Sequence, residues 1–173
     1  MTNKTLKITD LISLLESQIE NPNKGLPEDV FLFISRNHPM TNVDLLIKNE
    51  KNQTLLTWRE KGDNYWPPGW HIPGGIIRYS ESIATRINAV AMNELGVTIK
   101  FKNKPIAINE IILPERRNRS HFISLLFECK LNSQLDKKQA YKKGPPEVGQ
   151  WAWHDNCPAN IISAHHIYRK YIG

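Results

Sequence analysis

The chain has 173 residues, 40% of them hydrophobic and 23% charged, with a net charge of +6 at pH 7. That is one domain's length with room for a real core, and the composition is ordinary for a soluble globular protein. No apolar run reaches the length of a membrane span, and the positive charge favours anionic ligands without choosing among phosphates, acidic lipids and nucleic acid.

In chain order, Met1-Thr2-Asn3-Lys4 lacks the apolar stretch of a secretory leader. Thr9 to Glu20 reads as an amphipathic helix with Thr9 as its N-cap. It is ended by Asn21-Pro22-Asn23-Lys24-Gly25. The expected division is a helical extension over 1–25, packed on a single domain over 26–173. Val43–Ile47 and Thr54–Trp58 form a hairpin pattern, and Gly62–Gly69 reads as a loop. Ser82–Leu95 carries a helical stripe of Ile83, Ile87, Val90, Ala91 and Leu95, with Gly96 placed as the C-cap glycine. Pro105–Leu113 and His121–Leu131 read as two longer strands. Gly149–Trp153 reads as a last short strand, and Ile161–Ile172 as a terminal helix. The order predicts an α/β (α+β) fold, a mixed sheet with helices on its faces. Cys129 and Cys157 have no metal-type spacing and read as thiols of a reducing cytoplasm.

The chemistry concentrates between Pro73 and Val97. Gly74-Gly75 ahead of a helix lets the backbone approach a ligand closely. Glu94, on the same loop–helix unit, adds a carboxylate to the loop carbonyls, and such hard oxygens suit Mg²⁺. By itself Glu94 reads as a solvated helix residue.

The segment resembles the Nudix box, a glycine, five residues, a glutamate, seven residues, then Arg-Glu-apolar-x-Glu-Glu-x-Gly-apolar. Gly75, Glu81, Glu94, Gly96 and Val97 keep the frame, while Ala89-Val90 and Asn93 replace the Arg-Glu pair and the first of the paired glutamates. The resemblance implies a mixed sheet between helices. It also implies metal binding through the Gly74 carbonyl and Glu94, and supporting roles for Gly75, Glu81 and Gly96. Met92-Asn93-Glu94-Leu95-Gly96 is similar to the box ending of the GDP-mannose mannosyl hydrolases, whose box has the same losses. That likeness extends in scattered matches over residues 27 to 155. It implies hydrolysis of a nucleotide sugar by water attack at the anomeric carbon. One Mg²⁺, with Mn²⁺ as the alternative, would sit on the leaving diphosphate. Arg59 matches the arginine that stabilises the leaving group, and Asp44 a carboxylate that supports the substrate. Ile76 stands where an arginine is expected after the glycine pair, leaving Arg78 as the substitute. Glu147 falls near a metal-ligating position, and Val148 near the position of a general-base histidine. His121, His154 and Glu147 are therefore the candidate bases. Phe122, beside His121, and Trp70 are assigned to the substrate.

Three readings follow. The first is hydrolysis at carbon of a GDP-mannose-like nucleotide sugar. The second is a pyrophosphatase cutting between phosphates with metal ligands drawn from Glu147 and Glu115. The third is a nucleotide-binding Nudix domain without catalysis. A homodimer is implied only by the resemblance. The clusters Arg116-Arg117-Arg119, Lys137-Lys138 and Lys142-Lys143 read as solvated loops, so no nucleic-acid partner is expected, nor a membrane. Tyr65-Trp66 with Trp70 reads as loop packing or a stacking platform, and His165-His166 as surface.

Overall fold

The structure is a computed structural model that describes residues 7–60 and 67–173. Among the described residues it carries eight strands in two sheets. β1 (Met40–Ile47) and β7 (His121–Leu131) lie parallel at the centre of a five-stranded mixed sheet. The short β4 (Gly74–Ile76) pairs antiparallel with the free side of β1. On its other side, β7 divides its length: its first half pairs with β6 (Ala107–Ile112) and its last residues with β5 (Ile99–Phe101). The second sheet is antiparallel, β3 (Gly69–His71), β2 (Thr54–Arg59) and β8 (Trp151–His154).

The expected hairpin of β1 and β2 is thus not formed as a ladder. One bridge, Lys48 to Thr54, joins the two strands before they part into different sheets. The reason is burial: Val43 to Ile47 are buried without a break, the pattern of a strand covered on both faces, and both edges of β1 are already taken by β4 and β7.

Helix α3 (Ile83–Leu95) packs Ile87, Val90, Ala91 and Leu95 on Val43, Leu45, Ile47 and Phe127. Its ends obey local rules. Ser82 Oγ accepts the Thr85 N–H at 3.0 Å, and Gly96 closes the helix at φ 66°, a left-handed conformation that glycine adopts without strain. On the other face of the sheet, Leu46, Leu56, Trp70, Ile72, Leu126, Tyr168 and Ile172 form a second core.

The C-terminal segment is helical as expected but winds as a 3₁₀ helix, Ser163–Tyr171. Its inward residues explain the pitch. Ile162, His165 and Tyr168 are buried and Tyr171 is half-buried, a spacing of three that aligns at three residues per turn. His165 is therefore interior rather than on the surface. Two helices precede the sheets. α2 (Glu28–Ser35) has no counterpart in the periodicity reading. α1 (Ile8–Ser17) starts after Lys7 rather than Thr9, and it buries none of its residues, against the expectation that it packs on the core.

β4 and α3 approach so closely that only glycine fits at Gly75, where a Cβ would stand 2.9 Å from Val90 Cγ2 and 3.4 Å from Arg86 Cδ. Gly75→Ala is expected to lower stability by about 1–3 kcal/mol, the cost of forcing a methyl into a packed core. Urea denaturation should show a lower midpoint at unchanged slope.

Candidate functional site

Glu94 reaches from the last turn of α3 to the edge of both sheets. Its Oε1 accepts the Gly74 N–H at 3.0 Å. Its Oε2 lies 3.1 Å from Thr57 Oγ1, which donates, and 3.1 Å from His71 Nε2. Thr57 and His71 face each other across β2 and β3, with Oγ1 and Nε2 3.2 Å apart. His71 Nδ1 is buried with no partner. Where the ring is neutral, a proton there would be orphaned, so Nε2–H, donating to Glu94, is the tautomer that the site satisfies. Burial pushes the Glu94 carboxyl pKa up. The hydrogen bond and charge of His71, then the Gly74 and Thr57 donors, outweigh it and hold the pKa below the ordinary carboxylate value.

Gly74 has a second carboxylate behind it. Asp44 faces Gly74 across the β1–β4 ladder, and a Cβ on Gly74 would stand 2.2 Å from Asp44 Oδ1. Leu45 N–H donates to the Pro73 carbonyl, so the next pair, Asp44–Gly74, is of the non-hydrogen-bonded type. The N–H and C=O of Gly74 both point away from β1, toward the side where Glu94 stands. Asp44 Oδ2 accepts from Asn42 Nδ2 at 3.0 Å, from Ser124 Oγ and from Tyr168 OH. Burial nevertheless raises its pKa above the usual value, with a smaller contribution from the charge of Glu94. Close by, His165 Nδ1 accepts the Ile72 N–H at 3.0 Å. Burial, then the charges of His71 and Arg59, push the His165 pKa well down and keep the ring neutral.

Thr57, His71 and Glu94 open on a cleft of about 790 Å³ whose walls also carry Trp58, Arg59, Asn93, Asp136, Gln139 and Val148. Arg59 is delivered there by the end of β2. Asp136, from the segment after β7, uses Oδ1 to accept the Lys138 N–H at 2.9 Å. Among the described residues, no group of three His, Cys, Asp or Glu side chains is placed to hold a metal. The donor set that remains is one carboxylate and one glycine carbonyl. A carboxylate offers about four lone-pair sites, and the protein occupies three on Glu94. One is left, which fits a single hard cation completed by water and ligand oxygens.

Several expected site residues lie elsewhere. Asp44 is buried beneath Gly74 and does not line the cleft. Trp70 is 3% exposed, with Trp58, Tyr141 and His154 ringed edge-on around it, which leaves no face for a base. Tyr65-Trp66 lies outside the described residues. Phe122 is core, packed with Met40, Ile111 and Ala164. His121 begins β7, five residues before the Leu126 that pairs with Asp44, and its Nε2 meets Glu110 at 3.1 Å instead. Arg78, Glu115 and Glu147 are exposed and outside the cleft, and His154, half-buried in β8, lies outside it too. Glu81 is tied to the loop: its Oε2 accepts the Arg78 N–H at 2.9 Å and pairs with Arg86 at 2.7 Å.

Thr57, His71, Trp58, Asp136 and Arg86 went unremarked in the sequence. Arg86 had a usable signal, since it stands one helical turn before Ala89, on the same side of α3. The others had none, because they meet only through strand register.

A family model for the NUDIX domain matches residues 38–157. The low-salt glycan biosynthesis protein Agl8 of Haloferax volcanii is 27% identical over 145 residues, covering 77% of this chain and 88% of its own. Among solved structures, a MutT NUDIX hydrolase from Burkholderia pseudomallei superposes with a TM-score of 0.57 at 17% identity, over 79% of this chain and 99% of the other. A UDP-X diphosphatase superposes at 0.55 and 20% identity, over 94% and 75%. Both share the fold.

The raised pKa of Asp44 has a sign that can be measured. Its contribution to stability is complete below the ordinary value of 3.8 and is lost as pH rises through the raised one. Asp44→Asn keeps an acceptor for Ser124 and Tyr168 and carries no charge. The variant should therefore gain on the wild type steadily as urea titrations move from about pH 4 to about pH 8. A difference that stays flat over that range would contradict the assignment.

Proposed function

This chain belongs to the Nudix family, and from that premise we propose that it hydrolyses a nucleoside diphosphate sugar to the nucleoside diphosphate and the free sugar, with water attacking the anomeric carbon. The observation that carries the reading is Glu94. It is the one carboxylate that α3 presents to the cleft, Ala89, Val90 and Asn93 standing at the other positions, and it has one coordination site left. A site so depleted is poorly built to organise hydroxide for attack at phosphorus, which calls for several metal contacts. It is sufficient for a leaving group. A bound Mg²⁺ or Mn²⁺ would supply charge neutralisation on the diphosphate. The Gly74 carbonyl and Glu94 are the residues that would hold it.

The rest is done by the chain's own groups. Arg59 in the cleft wall offers a planar guanidinium to phosphate oxygens, a bidentate fit that a developing negative charge strengthens. For the attacking water, the base must line the cleft and be able to take a proton. His71 fails on geometry: Nε2 is committed to Glu94 and Nδ1 is sealed from solvent. Val148 carries no basic atom. Asp136 meets both conditions, with a carboxylate on the exposed side of the cleft. The proton lost by water passes to it, and the diphosphate leaves with the electron pair of the C–O bond. Agl8 is named for glycan biosynthesis, which supports a substrate that carries sugar.

Turnover of a panel of nucleoside diphosphate sugars in ¹⁸O water, with Mg²⁺, is expected to place the label in the sugar. Label in phosphate, with nucleoside monophosphate among the products, would instead establish cleavage between phosphates. Glu94→Gln should lower kcat/KM by about 10²-fold or more, the effect of losing one electrostatic contact to the leaving group. Asp136→Asn should lower kcat by roughly 10²–10⁴-fold, read from kcat on the nucleoside diphosphate sugar that the panel identifies.

A further inference from the structure

The turn that carries Asp136 presents more than the base. Gln134, Asp136 and Gln139 are exposed, and all three stand in the cleft wall. Fixed contacts hold the turn. Leu135, between the first two, is buried in the core cluster of Leu95 and Val97. Trp151 Nε1 donates to the Asp136 carbonyl at 3.0 Å, and the Gln139 N–H donates to the same carbonyl at 3.1 Å. Asp136 Oδ1 caps the Lys138 N–H at 2.9 Å. The backbone that projects the two glutamines is therefore set by core packing and hydrogen bonds, the support that a recognition surface needs.

The residue types suit a sugar. A carboxamide donates and accepts at once, as a sugar hydroxyl does. A base that takes a proton from water attacking the anomeric carbon has the sugar ring beside it. Gln134 and Gln139, on the same turn as Asp136 and in the same wall, stand where the ring hydroxyls come. Charge points the same way. Arg59 is the one Lys or Arg side chain among the described walls of the cleft, and the diphosphate takes it; Glu94 and Asp136 are the acids. Lys137 and Lys138 of the same turn are exposed and outside the walls. A carboxylate on the sugar would meet Asp136 with no cation in the wall to pair with it, and bringing like charges together is a way of rejecting a ligand.

From this wall we infer that Gln134 and Gln139 are specificity-determining residues of the site. They bond the hydroxyls of an uncharged sugar and offer nothing to its uronate counterpart. The inference rests on the hydrolysis at carbon proposed above, because that reaction is what seats the sugar beside Asp136.

Binding of intact nucleotide sugars is the test, by calorimetry with Mg²⁺ on the full chain carrying Asp136→Asn, which keeps an acceptor for the Lys138 N–H and lacks the base. The probes are two matched pairs, GDP-mannose with GDP-mannuronate and UDP-glucose with UDP-glucuronate, with GDP and UDP as controls. The members of each pair differ only at C6, a hydroxymethyl group or a carboxylate. The neutral member should bind the more tightly. Gln134→Ala and Gln139→Ala, at exposed positions that leave the melting transition unchanged, should each weaken it by about 3–10-fold, the scale of one hydrogen bond, and leave GDP and UDP binding as it was. Gln139→Lys should move the preference within a pair toward the uronate by about 3–5-fold, the scale of an exposed ion pair. Equal weakening of the nucleotide sugar and its nucleoside diphosphate would overturn the inference and put the wall on the nucleotide half. Unchanged binding of all four sugars in both alanine variants, tighter binding of the uronates without the lysine, or no shift with it would overturn it as well. Calorimetry reads no turnover, so these failures stand apart from failure of the reaction itself, which label in phosphate would report.

Discussion

The structure depends on a glycine held between two carboxylates. Gly74 has Asp44 Oδ1 against its Cα on one side, and on the other its N–H meets Glu94 Oε1. Any side chain at 74 would collide with Asp44, and any shift of β4 away from β1 would drive its amide against Glu94. The two contacts therefore fix the edge strand, the end of α3 and the centre of β1 relative to one another. They also bring two acids close enough that the charge of Glu94 helps raise the pKa of Asp44. Their environments then separate them. Asp44, sealed in the sheet, has its pKa raised by burial despite three donors; Glu94, with His71 beside it, is held ionised. Of the two, only Glu94 reaches the cleft, and it is the one a cation could use.

Around this wedge the box has been rebuilt rather than lost. Where an arginine is missing at Ala89, Arg86 makes the bond to Glu81 from one turn earlier and keeps the loop in place. Val90 has joined the core, and its methyl groups fill the space left by Gly75. The partners of Glu94 no longer come from α3. They come from β2 and β3, as Thr57 and His71. These are donors rather than acceptors. In place of additional acids on the helix, hydrogen bonds hold its last carboxylate in one orientation, and the proposed single-cation chemistry rests on that arrangement.

Much of the fold was legible from local signals. Ser82 and Gly96 bracket α3, β7 runs from His121 to Leu131 as its apolar pattern indicates, and the amphipathic stripe of α1 is plain in the sequence. Failures arose where pairing is non-local. β1 and β2 look like a hairpin because adjacency in sequence usually means adjacency in a sheet; here continuous burial along β1 demands neighbours on both edges, and β4 and β7 take them. Trp70 and Phe122 look like ligand-facing aromatics until the folded chain closes over them. Burial depends on what stacks above a residue, which no window of sequence contains.

The sequence by itself determined the glycine pair, the capped helix behind it and the single acid at its end, because close approach, capping and metal softness are properties of residue types at short spacing. The tertiary structure decided what that acid meets. Thr57, His71, Arg59 and Asp136 come from segments up to 79 residues apart (Thr57 to Asp136) and converge on one cleft. Strand register sets that convergence, and register is chosen by the whole sheet: a slip of one residue in β2 would turn Thr57 and Arg59 away together.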